Sequence, residues 1–404
     1  MPNTVRFGGG AGIFDFDNHY YEAPDAFTRH IDNQYAQRAM QWAEIGGKKR
    51  LLVGGKINRF APNAMFDPIT KPGALDEYFR GRNPKGAGYK ELFGELDRLS
   101  ERPEYQNRDS RLDVMDGQGM QGMFLFPTLA VGMEQSLIHD QPALLAAFEA
   151  FNRWLDDDWG FSYQERIFAA PILLLQDPGF ALQQVEWFLE NDARMICMLP
   201  GPVMTASGGR SPFDPIYDEV WGRINDAGLV VAVHMGDSRY NSYLKDWGEQ
   251  GDLATFDENT QRFRFIISYS AVQDFFANLL VHNHFDKFPN LRMAAIETGS
   301  DWVFHLFEKL TKSWGQTPHI YTEDPREAFK RHVWISPFYE DKLDRLRELL
   351  GSERILMGSD YPHAEGLADP SSYIKDLRNF GFPEDESRLI MRDNGLALSV
   401  RRTA

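Results

Sequence analysis

Phe14-Asp15-Phe16-Asp17-Asn18-His19 lies near the start of the 404-residue sequence, and its alternation decides how the rest is read. Side chains alternate faces along a strand, so Asp15, Asp17 and His19 are expected on one face and Phe14 and Phe16 on the other. The phenylalanine face suits packing against outer helices. The opposite face carries two carboxylates and an imidazole toward the strand's carboxyl end. An Asp-x-His pair there can chelate a divalent cation through one hard oxygen and one imidazole nitrogen. Alone, the same pair also fits a surface loop. The reading therefore depends on whether later segments bring further ligands.

Moving outward, residues 22–108 are irregular, punctuated by Gly46-Gly47, Gly54-Gly55, Pro62, Pro68, Pro72-Gly73 and Gly86-Ala87-Gly88. Short helices are expected near 26–43 and 90–99. An insertion this long reads as a lid or a dimer-contact excursion. From Arg111 a steady rhythm begins. Strands are expected over 122–127, 168–174, 195–199, 229–234, 291–297, 333–336 and 355–360. Helices are expected over 111–118, 143–165, 180–191, 214–227 (capped by Asp214), 263–285, 301–314, 342–350, 372–380 and 384–400. With the first strand this gives eight strands, each followed by helix. The economical fold is a (β/α)8 TIM barrel, one domain over 1–404 with a long insertion after strand 1. A doubly wound open sheet is the competing arrangement, although no Gly-x-Gly-x-x-Gly follows the first strand.

Composition limits the function. Hydrophobic residues make up 43% and charged residues 25%, ordinary for a globular chain with a sizeable core. A formal net charge of −16 argues against nucleic acid or an anionic membrane as the main partner and leaves a small molecule. The single cysteine, Cys197, falls inside the fourth strand and allows no intrachain disulfide. Residues 1–12 lack a signal-peptide pattern, and no apolar run approaches the roughly 18 residues of a membrane span. A cytoplasmic protein is expected. Aromatics, at 13%, suit a large core or an apolar substrate.

In such a barrel the chemistry sits at the carboxyl ends of the strands. Strand 1 ends in Asp17-Asn18-His19, strand 5 in His234, strand 6 in Glu297 and strand 8 in Asp360. Each has an ordinary structural explanation: a hydrogen-bonded histidine, a helix-capping aspartate, a glutamate paired with arginine. Together they bring five ligand-type groups to one rim, and a central cation would satisfy several at once.

These residues resemble the amidohydrolase superfamily, nearest its amidohydrolase-related, aminocarboxymuconate-semialdehyde-decarboxylase-like branch. The resemblance rests on Asp17-x-His19, His234 and Gly358-Ser359-Asp360-Tyr361-Pro362-His363. It is joined by Arg210-Ser211-Pro212, Phe288-Pro289-Asn290-Leu291-Arg292 and Ile296-Glu297-Thr298-Gly299-Ser300-Asp301-Trp302. It covers strand 1 and Arg111 to the end. It implies a barrel with one or two divalent ions, zinc, manganese or iron, held by Asp17, His19, His234 and Asp360. The chain departs from the pattern twice. The first pair is Asp-x-His rather than His-x-His or Glu-x-His, and Glu297 stands where many relatives end strand 6 with histidine, which makes Glu297 a candidate ligand. No lysine ends strand 4, so a carboxylated-lysine bridge is not expected.

The expected chemistry is hydrolysis of an amide, ester, thioester or C–C bond, because a divalent ion can lower the pKa of water from ~15.7 to about 7. Asp360 and His234 are the expected catalytic residues, with Asp360 as general base. His363, Arg210 (after Gly208-Gly209) and Trp247 are expected around the substrate, and residues 235–260 form a lid. His282 and His284 are expected to face away. The alternative is non-oxidative decarboxylation of an aromatic or unsaturated acid; a non-catalytic binding barrel is the third. The resemblance and the insertion together imply a homodimer.

Overall fold

The structure, a computed structural model, describes residues 12–402 apart from 62, 206, 239, 250–261 and 268. Two parallel ladders form its centre. In the first, β1 (Ile13–Tyr20) pairs with β2 (Met120–Pro127), and β2 with β3 (Ile167–Ala169). The second runs β4 (Met195–Met198), β5 (Val230–His234), β6 (Arg292–Ile296) and β7 (Val333–Ile335).

Backbone bonds join the ladders into a ring. Ile172 bridges to Cys197, and the Cys197 N–H donates to Pro171 O at 2.8 Å. Ile335 bridges to Ile355, and the Leu356 N–H donates to Ile335 O at 2.8 Å. Residues 355–361 then close on β1, where Phe16 N–H donates to Met357 O, Asp360 N–H to Asp17 O and His19 N–H to Tyr361 O at 2.7–2.8 Å. The order is the chain order, so the barrel reading holds and the open-sheet alternative falls. The third strand is shorter than expected because Pro171 has no N–H to continue the ladder.

The helices form for local reasons. Asp140 and Asp177 cap Gln141–Asp158 and Pro178–Glu190, each with proline in the first turn. Asp214 accepts from the Ile216 N–H and starts a 3-10 turn that leads into Asp218–Ala227. The helix expected over 263–285 is instead Arg262–Ile267, Ser270–Val281 and His284–Lys287; the last break is at Asn283, with φ of 50°. The closing helix passes through a π turn at Leu389–Asp393. Phe14 and Phe16 pack on Phe124, with ring centroids 5.7 and 4.8 Å away. Phe126, two residues on along β2, meets His234 at 4.7 Å, so the phenylalanine face turns into the barrel rather than toward outer helices as expected. No helix among the described residues is long and apolar enough to cross a membrane.

The 22–108 excursion differs most from expectation. The helix expected over 26–43 is only Asn33–Ala36, followed by an antiparallel ribbon of Met40–Ile45, Lys48–Val53 and Lys56–Ile57. Gly46 and Gly47, at φ of 61° and 69°, supply the two left-handed residues of a tight hairpin. The second expected helix is only Tyr89–Leu92. The excursion folds back onto the barrel mouth: Gly73 N–H donates to His363 O, and Leu75 N–H to Ala364 O.

Candidate metal centre

The register of β1 slips between Asp15, paired with Met123, and Asn18, paired with Leu125. Three residues of β1 span two of β2, which is a bulge, and a bulge re-aims side chains. Asp15 is therefore drawn out of the expected ligand face and does not line the cavity above the barrel. Its carboxylate accepts from the Ser359 N–H at 3.0 Å, the Ser359 hydroxyl at 2.5 Å and the Asn18 amide at 2.8 Å. Burial pushes Asp15 up to about 6 despite these donors. Arg111, fully buried, ties the same turn down by donating to Glu104 O, Asn18 Oδ1 and His19 O at 2.5–2.9 Å.

Asp17, His19 and His234 converge, with Asp17 Oδ1 lying 3.2 Å from His19 Nε2 and 3.7 Å from His234 Nε2. Asp17 Oδ1 and both Nε2 atoms are buried without a hydrogen-bond partner. His234 Nδ1 lies 2.8 Å from Met235 O, which assigns its proton to Nδ1 and leaves a bare lone pair on Nε2. Orphaned buried acceptors facing one point fit a divalent cation of the imidazole-and-carboxylate-binding kind.

Glu297 Oε2 is 3.4 Å from His234 Nε2 and 3.9 Å from His19 Nε2, and Asp360 Oδ1 is 3.3 Å from His19 Nε2. Both residues hold left-handed backbone, at φ of 53° and 56°, a strained state for non-glycine residues that turns each carboxylate in at its strand end. Gly358 is required beside them: a Cβ there would lie 2.3 Å from Ser336 Oγ and 2.6 Å from Asp17 Cβ. Thus the structure brings all five expected ligands to one rim.

Electrostatics divides them. Burial raises Asp17, but His19 and His234 overcome it and hold the carboxyl well below the usual range. Burial, then His363, pushes His19 down to about 3. Burial, then neighbouring carboxylates, raises Glu297 and Asp360 well above that range.

His363 also arrives, with Nδ1 2.6 Å from Asp360 Oδ1 and Nε2 2.9 Å from Thr128 Oγ1. Arg210 does not. It sits in the Gly208–Arg210 strand of a hairpin, pairs with Asp214 at 3.1 Å and is absent from the cavity wall. Trp247 is 66% exposed, stacks edge-on with Tyr243 and Phe263, and is likewise off the wall. Of the expected lid, 250–260 lie outside the described residues. His284 faces away as expected, among Phe213, Trp221 and Phe288. Sequence reading missed Thr128, Glu365 and Arg111. Thr128 follows Pro127 at the end of β2, so the strand-end rule that found His234 reaches it once neutral hydroxyls are counted.

Residues 20–398 match the amidohydrolase family. The chain is similar to an amidohydrolase of Mycobacterium avium subsp. paratuberculosis K-10, at 41% identity and a TM-score of 0.90 over 96% of this chain and 99% of that one. More distantly it is similar to 2,6-dihydroxybenzoate decarboxylase from Rhizobium, at 16% identity and a TM-score of 0.57, over 85% of this chain and 96% of that one. It is also similar to 5-carboxyvanillate decarboxylase from Novosphingobium aromaticivorans, complexed with manganese and a nitrobenzoic acid, at 13% and 0.57 over 99% of both chains. At such identities the last two speak for the fold.

Proposed function

The chain belongs to the amidohydrolase family, and from that premise we propose that it is a metal-dependent hydrolase of a carbonyl compound. Asp17, His19 and His234 would hold the ion, and Glu297 and Asp360 stand beside these histidines. A divalent ion bound there supplies carbonyl polarisation and acidification of water. The observation that carries the reading is the contact of Asp360 with both His19 and His363.

Asp360 is the proton acceptor for the attacking water, and the same proton goes to the leaving group as the C–X bond breaks. His363 orients Asp360 and shares that proton, because its Nε2–H is fixed by Thr128, whose hydroxyl donates to Tyr20 O at 2.7 Å. His234 keeps its proton on Nδ1 throughout.

A second reading is decarboxylation. Its support is the buried Asp360 carboxyl, raised toward its protonated, donor form, and the fold likeness to two decarboxylases, one of them manganese-bound. In that reading Asp360 gives its proton to the carbon that loses carbon dioxide. Two experiments separate the outcomes. Elemental mass spectrometry should find divalent metal in the wild type and its loss in His234→Ala. Turnover in 18O-water should then label the acid product. Carbon dioxide release without label would replace hydrolysis by decarboxylation, and a wild type that takes up no divalent ion would remove both.

A further inference from the structure

The candidate centre opens into a cavity of about 560 Å³ bounded by the described residues. Its ionisable floor is Asp17, His19, Glu297 and Asp360, but one wall is built by the 22–108 excursion: Phe60, Phe66, Ile69, Phe79, Tyr89 and Phe93. Four of the polar side chains on the walls already bond to the protein. Tyr21 donates to Pro362 O at 3.3 Å, Tyr339 to Glu365 O at 2.9 Å and Tyr89 to the Tyr78 hydroxyl at 3.3 Å; the Asn63 amide donates to Pro68 O at 3.1 Å. A sugar or nucleotide entering here would surrender water for few new hydrogen bonds. Acidic lining groups (Asp17, Glu297, Glu340, Asp360, Glu365) outnumber the cations Lys90 and Arg264, which disfavours a polyanion. Aromatic walls instead reward ring faces and edges. An apolar cavity of about 150 Å³ already holds benzene, so this space takes a molecule well beyond one ring.

We propose that the substrate is a bulky, mainly apolar carbonyl compound with two or more rings, and that the 22–108 excursion is its specificity wall. The carbonyl rests on the hydrolase reading above; the size and apolarity do not.

The test separates wall from floor. N-phenyl-1-naphthylamine, a neutral fluorescent probe, is titrated into the wild type, into His234→Ala and into two space-filling variants, Ala61→Trp and Thr70→Trp. Each variant's fold is checked by circular dichroism. Saturable binding to the wild type is expected, within about threefold in His234→Ala and weakened at least about tenfold in a folded filling variant. Naphthyl esters should exceed phenyl esters in kcat/KM by about tenfold, through KM. No saturable binding to the wild type, or equal binding in both folded filling variants, overturns the proposal. Probe binding that obeys the wall variants without turnover of any ester upholds the wall and counts against hydrolysis alone.

Discussion

His363 Nδ1 lies 2.6 Å from Asp360 Oδ1, and the far side of the same ring meets Thr128. Thr128 has one hydroxyl proton and gives it to Tyr20 O, so it must accept from His363 Nε2–H. One proton is therefore shared between His363 Nδ1 and Asp360. Burial raises Asp360 and lowers His363, so without a cation the proton sits on the carboxyl.

A variant that keeps the ion but breaks this sharing should lose turnover. His363→Asn is expected to retain metal by elemental analysis while kcat falls by about 10²–10⁴. Equal loss of metal and activity would instead make His363 a ligand.

Glu297 has left-handed backbone, which costs a non-glycine residue about 1–2 kcal/mol. Glu297→Gly relieves that strain and removes a buried carboxylate. In metal-stripped protein its thermal midpoint should rise, with a gain of about 1 kcal/mol, while activity of the metal-loaded enzyme drops. A midpoint lowered like that of an ordinary core truncation would show that Glu297 is structural.

Glu22 gives a clean pH signature. Its Oε1 accepts from the N–H groups of Leu129 and Ala130, its Oε2 is buried without a partner, and burial pushes it up from 4.5 to about 7. Below pH 4.5 folded and unfolded chains both hold this proton. Between 4.5 and 7 only the folded chain holds it, so the wild type loses stability as pH rises through that window. Glu22→Gln keeps both acceptor contacts and has no charge to bury. It should match the wild type at pH 4 and exceed it above pH 7 by on the order of 3 kcal/mol in denaturant titrations. A difference independent of pH would contradict burial as the cause.

The barrel was legible because its strands are short apolar runs ending in a single ionisable group, as in Val230–His234 and Arg292–Ile296 before Glu297. Asp17, His19, His234, Glu297 and Asp360 follow from strand ends alone. The bulge in β1 was not legible: alternation assigns Asp15 to the ligand face, and only the pairing with β2 shows the extra residue. The ribbon within the excursion was not legible because Gly46-Gly47 counts as irregular until the six residues on each side are paired as strands, after which it is a hairpin turn. Arg210 is expected around the substrate, yet Asp214, four residues on, already holds it.

Arg111 was invisible for a different reason. Nothing in its local sequence says that an arginine on a helix points inward, yet it is 1% exposed and spans Glu104 O, Asn18 Oδ1 and His19 O. Trp159 and Tyr361 flank the guanidinium at 5.7 and 5.5 Å. It fixes the backbone that carries His19, one residue past the bulge. Lysine cannot reproduce a three-way planar fork, so Arg111→Lys should lose about 3 kcal/mol of stability, since hydrogen bonds from a buried charge are worth about 1.5–3 kcal/mol each. If Arg111 also positions the ligand, metal affinity should fall by about 10–100-fold, as for other residues that hold a ligand in place. Measuring both at a temperature where the variant remains folded separates the roles. Lower stability with unchanged metal affinity would make Arg111 a strut for the barrel mouth, whereas loss of both would tie the geometry of His19 to this one buried cation.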